Sequence, residues 1–170
     1  MKNINNKVKE IIANNLYATI SVSKDNIPWI ANIYYAYDKE YNFYWYSSAE
    51  TTHSRYIKEN PFIAISIFNS TLTGDDVDAV YIKAEAYELE NKIDILCGLK
   101  SYGEKMLRTG FTDNKDTMLR FIKQYKDFQG LSKLRMYKAK PKEIYKLTPS
   151  ETYNDKFIDS KITININDLI

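Results

Sequence analysis

The stretch Phe43-Tyr44-Trp45-Tyr46-Ser47-Ser48-Ala49-Glu50-Thr51-Thr52-His53-Ser54 decides how the chain reads. Positions 43 to 46 are all aromatic. A strand with one solvated face alternates apolar and polar residues, so this strand is expected to be buried on both sides. A run of hydroxyls follows and leads into a helix. Residues 51 to 59 read as that short helix, and Asn60-Pro61 stops it. The amides at a helix start have no partner within the helix, and the helix dipole favours an anion there. Ser47, Ser48, Thr51, Thr52 and Ser54 supply hydroxyls, and His53, the sole histidine, can supply a cation. Thr51 or Thr52 also fits the plainer role of N-cap.

The flanks predict strands on both sides. Leu16, Ala18, Ile20 and Val22 alternate with Tyr17, Thr19 and Ser21, which is a strand with one buried face. Lys24-Asp25-Asn26 is a turn, and a second strand runs from Pro28 to Tyr37. After the helix, Phe62 to Phe68 is nearly all apolar, as expected for a central strand. The stretch from Asn69 to Asp78 is a polar loop with Gly74-Asp75-Asp76 at its tip, and Val80 to Leu89 alternates clearly. A last strand runs from Leu134 to Tyr137 and on through Glu143 to Leu147, with a bend expected at Pro141. Ahead of the first strand, Ile4, Val8, Ile11 and Ile12 fall at helical spacing.

Residues 91 to 129 change period. Ile95, Leu99, Tyr102 and Met106 share one helical face, and Met118, Phe121, Ile122 and Tyr125 share another. Two helices joined around Gly110 to Lys115 are expected, as an insertion between strands. The tail, 149 to 170, carries Ile162, Ile164 and Ile166 in alternation, which fits an edge strand or one exchanged with a partner. No linker or repeat divides the chain, so a single domain over 1–170 is expected.

Composition narrows the function classes. The chain has 170 residues, 44% hydrophobic and 27% charged, with a net charge of +2. That balance lacks the basic stripe expected of a nucleic-acid-binding barrel. No apolar run is long enough to span a bilayer, and Met1 to Lys7 lacks the apolar core of a secretory signal. No membrane partner and cytoplasmic residence are the expectations. With 5 glycines, no glycine-rich phosphate loop occurs. The 15 tyrosines suit half-buried strands, interfaces or a planar ligand. Bias toward AT-rich codons is the alternative explanation of that excess. Asp75, Asp76 and Asp78 lack the ligand spacing of a calcium loop, so a solvated turn and no metal are expected. Cys97 cannot form an intrachain disulfide and reads as a buried, inert thiol.

Three runs taken together resemble one family. They are Phe43 to Ser48, Thr52-His53-Ser54-Arg55-Tyr56-Ile57, and Asn60-Pro61-Phe62-Ile63-Ala64-Ile65. Their order is similar to that of the pyridoxamine 5′-phosphate oxidase-like, FMN-binding split-barrel family. The resemblance covers roughly residues 8 to 90, and Arg135-Met136-Tyr137 with Pro141 to Tyr145 on the last strand also fit. It implies a mainly β fold: a six-stranded split barrel of Greek-key type, with an N-terminal helix and a helical insertion. It implies FMN as cofactor, bound at the interface of a homodimer.

By the same resemblance, Trp29, Ile30, Ala31 and Asn32 match the strand that lines the isoalloxazine ring. Tyr46, Ser47 and Ser48 match residues beside the ribityl chain and phosphate. Thr52 and His53, with Ser54 beside them, match the phosphate-gripping positions. Lys83 matches a region that reaches flavin from the same or the partner subunit. Thr52 and His53 replace an arginine and a lysine, and Ala84 stands where many members have glycine. A single histidine also leaves out the substrate element of the vitamin-making oxidases, which argues against pyridoxamine phosphate as substrate.

The expected function is therefore a flavin oxidoreductase acting on a small molecule, with a nicotinamide as a candidate electron donor. Such chemistry belongs to the cofactor and needs no nucleophilic side chain. A non-catalytic flavin, deazaflavin or haem carrier of the same fold is the alternative.

Overall fold

The computed structural model describes residues 2–72, 78–148, 151–154, 156–158 and 160–170. A helix α1 (Lys2–Asn14) leads into β1 (Tyr17–Lys24), β2 (Ile27–Tyr34) and β3 (Ala36–Tyr37). Then come β4 (Phe43–Ser48), α2 (Thr52–Glu59), β5 (Phe62–Phe68) and β6 (Ala79–Glu88). The insertion holds α3 (Lys92–Arg108) and α4 (Lys115–Lys123), followed by the long strand β7 (Leu134–Leu147). The tail adds a small hairpin, β8 (Glu151–Tyr153) with β9 (Lys156–Ile158), and a strand β10 (Lys161–Ile164) that pairs with β7. The expected tip Gly74-Asp75-Asp76 lies outside the described residues.

All pairings are antiparallel, and the order along the main sheet is β2-β1-β5-β6-β7-β4-β3. The two ends of that path are neighbours in sequence. β2 and β3 are halves of one extended stretch interrupted at Tyr35, so the chain itself joins the sheet's edges. With those halves taken as one strand and β10 as an addition to β7, the eight-stranded sheet becomes a six-stranded split barrel.

Local chemistry places the strands. Asp25 and Asn26 both take positive φ, 50° and 63°, the signature of the tight turn that matches the twist of a two-residue hairpin. Pro141 lies at an irregularity, where Lys83 pairs with Glu143 but Ala84 pairs with Pro141, leaving Lys142 as the extra residue of a bulge. The bend expected there is that bulge, a place in a sheet where proline is tolerated.

Strand alternation separates two hydrophobic cores. Ile33, Tyr35, Phe43, Trp45, Tyr137 and Ala139 face the barrel interior with Ile20, Ile65 and Ile82. The residues between them, Ala36, Tyr44 and Met136, face outward into a second core with Ile95, Leu99, Tyr102 and Phe128. The insertion therefore covers the outer face of β3, β4 and β7. α1 packs against β5 and β6, burying Val8 and Ile12, and the Tyr35 hydroxyl donates to the Ile12 carbonyl at 2.7 Å.

The expected inner face of the first insertion helix is buried from Ile95 to Met106. Cys97 departs from expectation: it is exposed, because it lies on the opposite face of α3 from Ile95, Leu99 and Tyr102. The second helix is only half-buried, with Phe121 and Ile122 resting on the outer core; Tyr125, expected on the same helix, rests there too but lies past its end, in a short 3-10 turn over Tyr125–Phe128.

Gly103 allows the two insertion helices to approach, since a Cβ there would stand 2.5 Å from Met118 Cγ. Gly103→Leu should push α4 away and cost about 1–3 kcal/mol through overpacking. A fall in the thermal midpoint, with retained far-UV circular dichroism, is the expected reading.

Candidate functional site

The site begins where β4 ends. Thr51 caps α2 in extended conformation (φ −66°, ψ 152°), and its hydroxyl accepts from the Ser54 amide at 3.4 Å. The same oxygen lies 3.0 Å from the Ser48 carbonyl and 2.8 Å from Ser54 Oγ. The expected cap is thus Thr51 rather than Thr52. Ser48 Oγ accepts from the Glu50 amide at 3.2 Å, which tightens the turn. The amides of Thr52 and His53 have no protein partner among the described residues.

His53 folds inward and is 9% exposed. Its Nε2 shares hydrogen bonds with Ser47 Oγ at 2.9 Å and Thr51 Oγ1 at 3.2 Å. Burial pushes its pKa below the ordinary histidine value, so the ring is neutral near pH 7. The sequence-based expectation of a ready cation changes here to a neutral imidazole among hydroxyls.

A chamber of about 460 Å³ opens beside this turn. Asn32, Ile33 and Tyr34 of β2 and Tyr46 and Ser47 of β4 form one side of it. The insertion forms the other, with Tyr102 and Met106 of α3, Phe111 of the connecting loop and Phe121 of α4. None of its lining side chains is charged. The Tyr102 ring stands 5.3 Å from the Tyr46 ring and 5.5 Å from the Tyr34 ring, and the Tyr102 hydroxyl donates to the Tyr34 carbonyl. A separate groove of about 720 Å³ over β1 and β5 shares Tyr17 and Asn32 with the lining of the chamber.

Lys105 anchors the insertion to the barrel. It is 2% exposed, and its ammonium donates to the Asn15 and Leu16 carbonyls, both at 3.0 Å. It also lies 3.6 Å from the Tyr35 ring centroid and 4.8 Å from that of Tyr34. Burial, with the nearby Arg108 guanidinium, pushes its pKa down to about 7.

The predicted residues do not all converge on the chamber. Asn32, Tyr46, Ser47, Ser48, Thr52 and His53 gather around the chamber and the helix start. Ser54 is buried beneath the helix, held by its cap hydrogen bonds rather than turned toward the turn's open side. On β2, Ile30 and Asn32 lie on the outer face opposite Ser21 and Thr19, where Thr19 donates to Asn32 Oδ1 at 2.8 Å. Ala31 packs against the core, and Trp29, across from Val22, stays half-exposed.

Lys83 is not near the chamber. It pairs with Glu143 at 3.0 Å and lines a separate groove with Tyr145 and Lys161. Of the tyrosines beside these strands, Tyr34 and Tyr46 line the chamber while Tyr35 and Tyr44 are packed in the two cores. The contribution of Phe111 was not foreseen. Its only signal in sequence is one aromatic residue in the polar run Gly110-Phe111-Thr112-Asp113-Asn114. Asp78, the described member of the acidic loop, pairs with buried Lys146 at 2.8 Å.

No protein-family model matches the chain, and no curated protein matches it. Solved structures do. The haem storage protein HutZ from Vibrio cholerae is 13% identical, with a TM-score of 0.63 over 83% of this chain and 92% of that one. A provisionally named pyridoxamine 5′-phosphate oxidase from Listeria innocua is 13% identical, with a TM-score of 0.55 over 82% and 94%. A FAD-binding protein from Mesorhizobium loti is 15% identical, with a TM-score of 0.53 over 82% and 91%. The architecture is shared. At these identities the likeness shows the fold alone, which is the mainly β split barrel described above. No helix among the described residues is long and apolar enough to cross a membrane.

The depressed pKa of Lys105 has a definite sign in stability. Between about 7 and the ordinary 10.5, the folded chain binds fewer protons at this site than the unfolded chain. Stability should therefore rise with pH through that window and be lost as pH falls through about 7. Lys105→Met should remove most of the rise in thermal midpoint between pH 7 and pH 9 that the native chain shows.

Proposed function

We propose that this chain binds FMN, with the phosphate at the start of α2 and the ring in the adjoining chamber, and acts as a flavin oxidoreductase. One observation carries the reading: Ser47 belongs to both places. Its hydroxyl bonds His53 at the helix start, and the residue also belongs to the lining of the aromatic chamber. A ligand with a phosphate at one end and a planar ring at the other fits that continuity.

The donor set suits a phosphate without a guanidinium clamp. The two unpartnered amides and the Thr52 hydroxyl can donate directly, Ser47 and His53 can donate by giving up the hydrogen bond between them, and the helix dipole favours the charge. His53 takes up a proton more readily once an anion lies beside it. The chamber volume falls within the range of small-ligand pockets, and its uncharged aromatic walls suit an isoalloxazine ring.

Haem fits less well. His53 is the sole histidine, and its Nε2 is already engaged by two hydroxyls, so axial ligation through it would break both bonds. Bound FMN would supply hydride or electron transfer, and the chain's own residues bind and orient it.

A homodimer completes the proposal. Tyr17, Ile30, Phe62 and Phe68 stand exposed on the outer face of β1, β2 and β5, and Tyr17 and Phe68 line the groove next to the chamber. A second copy would cover this apolar face and close the open side of the site. In such a dimer Lys83, remote from the chamber in its own chain, is the candidate contribution from the partner subunit.

FMN added to the purified protein should give a bound-flavin absorption spectrum. His53→Glu should weaken FMN at least about tenfold, the size of one lost contact to a charged group, while leaving riboflavin binding unchanged. Anaerobic bleaching of the bound flavin by NADH or NADPH supports the enzyme, and a flavin inert to every reductant supports a carrier. Sedimentation should show a dimer, and Ile30→Glu should yield a monomer with reduced flavin content.

A further inference from the structure

The chamber has one wall that belongs to the insertion, and the placement of Phe111 in that wall is controlled. α3 ends at Thr109, and Gly110 takes φ +69°, a conformation that glycine adopts without strain. The Phe111 amide donates back to the Met106 carbonyl at 3.0 Å and the Gly110 amide to Leu107 at 3.3 Å. This Schellman turn fixes where residue 111 leaves the helix. In such turns the residue at this place frequently packs on the last helical turn. Phe111 instead remains 74% exposed while lining the chamber.

The facing surface is Tyr34. Its ring centroid lies 6.4 Å from that of Phe111, with the planes at 47°. Stacking a planar ring between two aromatic rings needs about 3.5 Å on each side, or about 7 Å in all. At 6.4 Å and 47° the two rings touch each other, so Phe111 must swing outward and turn parallel to Tyr34 to admit a third ring.

Tyr34 is the fixed side of the gap. Its ring touches those of Tyr17 and Tyr102, its carbonyl accepts from the Tyr102 hydroxyl, and its own hydroxyl lies 3.5 Å from Thr109 Oγ1. Phe111 is the exposed side, on a loop, with a single aromatic neighbour.

We infer that the flavin ring is clamped within one subunit between Tyr34 of the barrel and Phe111 of the insertion, with Phe111 as the jaw that closes over it. The inference rests on the flavin reading above and adds the residue pair that grips the ring. The insertion supplies one wall in cis, and a second copy is needed only for the side open at Tyr17 and Asn32.

The test is a pair of titrations on the full chain, with FMN and with riboflavin, which lacks the phosphate. Phe111→Ala should weaken both ligands by the same factor, about tenfold, because only ring contacts are lost. Phe111→Trp should keep both affinities and quench the flavin fluorescence further. Phe111→Leu, which keeps apolar bulk without a ring, should fall between them and serves if the alanine variant folds poorly. Wild-type affinity for both ligands in Phe111→Ala or Phe111→Leu, with unchanged bound spectra, overturns the clamp and leaves the flavin reading standing. Failure of the native chain to take up either ligand overturns both.

Discussion

β4 is apolar on both faces, and everything around the site follows from having to cover it twice. Phe43 and Trp45 point into the barrel, while Tyr44 and Tyr46 point away from it. Leaving such side chains in water forfeits roughly 1.5–3 kcal/mol for each large apolar group. The barrel interior covers one face, with Trp45 stacked on Tyr137 at 5.5 Å. The other face needs a separate cover, and α3 and α4 provide it. The cover is complete over Tyr44 and opens over Tyr46, next to Ser47. The chamber is that opening, walled by the groups that hide β4 and adjoining the turn where its hydrogen bonding ends.

The electrostatic design is one of few charges placed where water is scarce. Among the described residues the chamber lining carries none, and the turn beside it presents amides, hydroxyls and a neutral imidazole. Lys105, behind the chamber, is buried and has carbonyls and ring faces for partners, with no carboxylate in contact among the described residues. It fastens the insertion to the start of β1 at the cost of desolvating a charge, and that cost is what depresses its pKa.

Much of the architecture is legible from residue pattern because its causes are local. The alternation from Leu16 to Val22, the Asp25-Asn26 turn and the Asn60-Pro61 stop act over a few residues. The structure shows each of them within a residue or two of the expected place. The helical faces of the insertion were equally plain. Cys97 shows where neighbour composition misleads: apolar residues adjoin it in sequence, but the helical period turns it outward. His53 shows the same limit in electrostatics, since its charge state depends on burial that no local pattern reveals.

By itself, the sequence determined the strands, the two insertion helices and the hydroxyl-rich helix start, because backbone geometry and side-chain period are short-range properties. It also marked β4 as covered on both faces. Only the tertiary structure decided what does the covering. The meeting of Tyr34 with Phe111, across 77 positions, depends on how α3 packs against β4 and how Gly110 turns the chain at its end. The separation of Lys83 from Ser47 depends on the curvature of the barrel between their strands. Both are relations between elements set by packing over the whole molecule, and no run of adjacent residues encodes them.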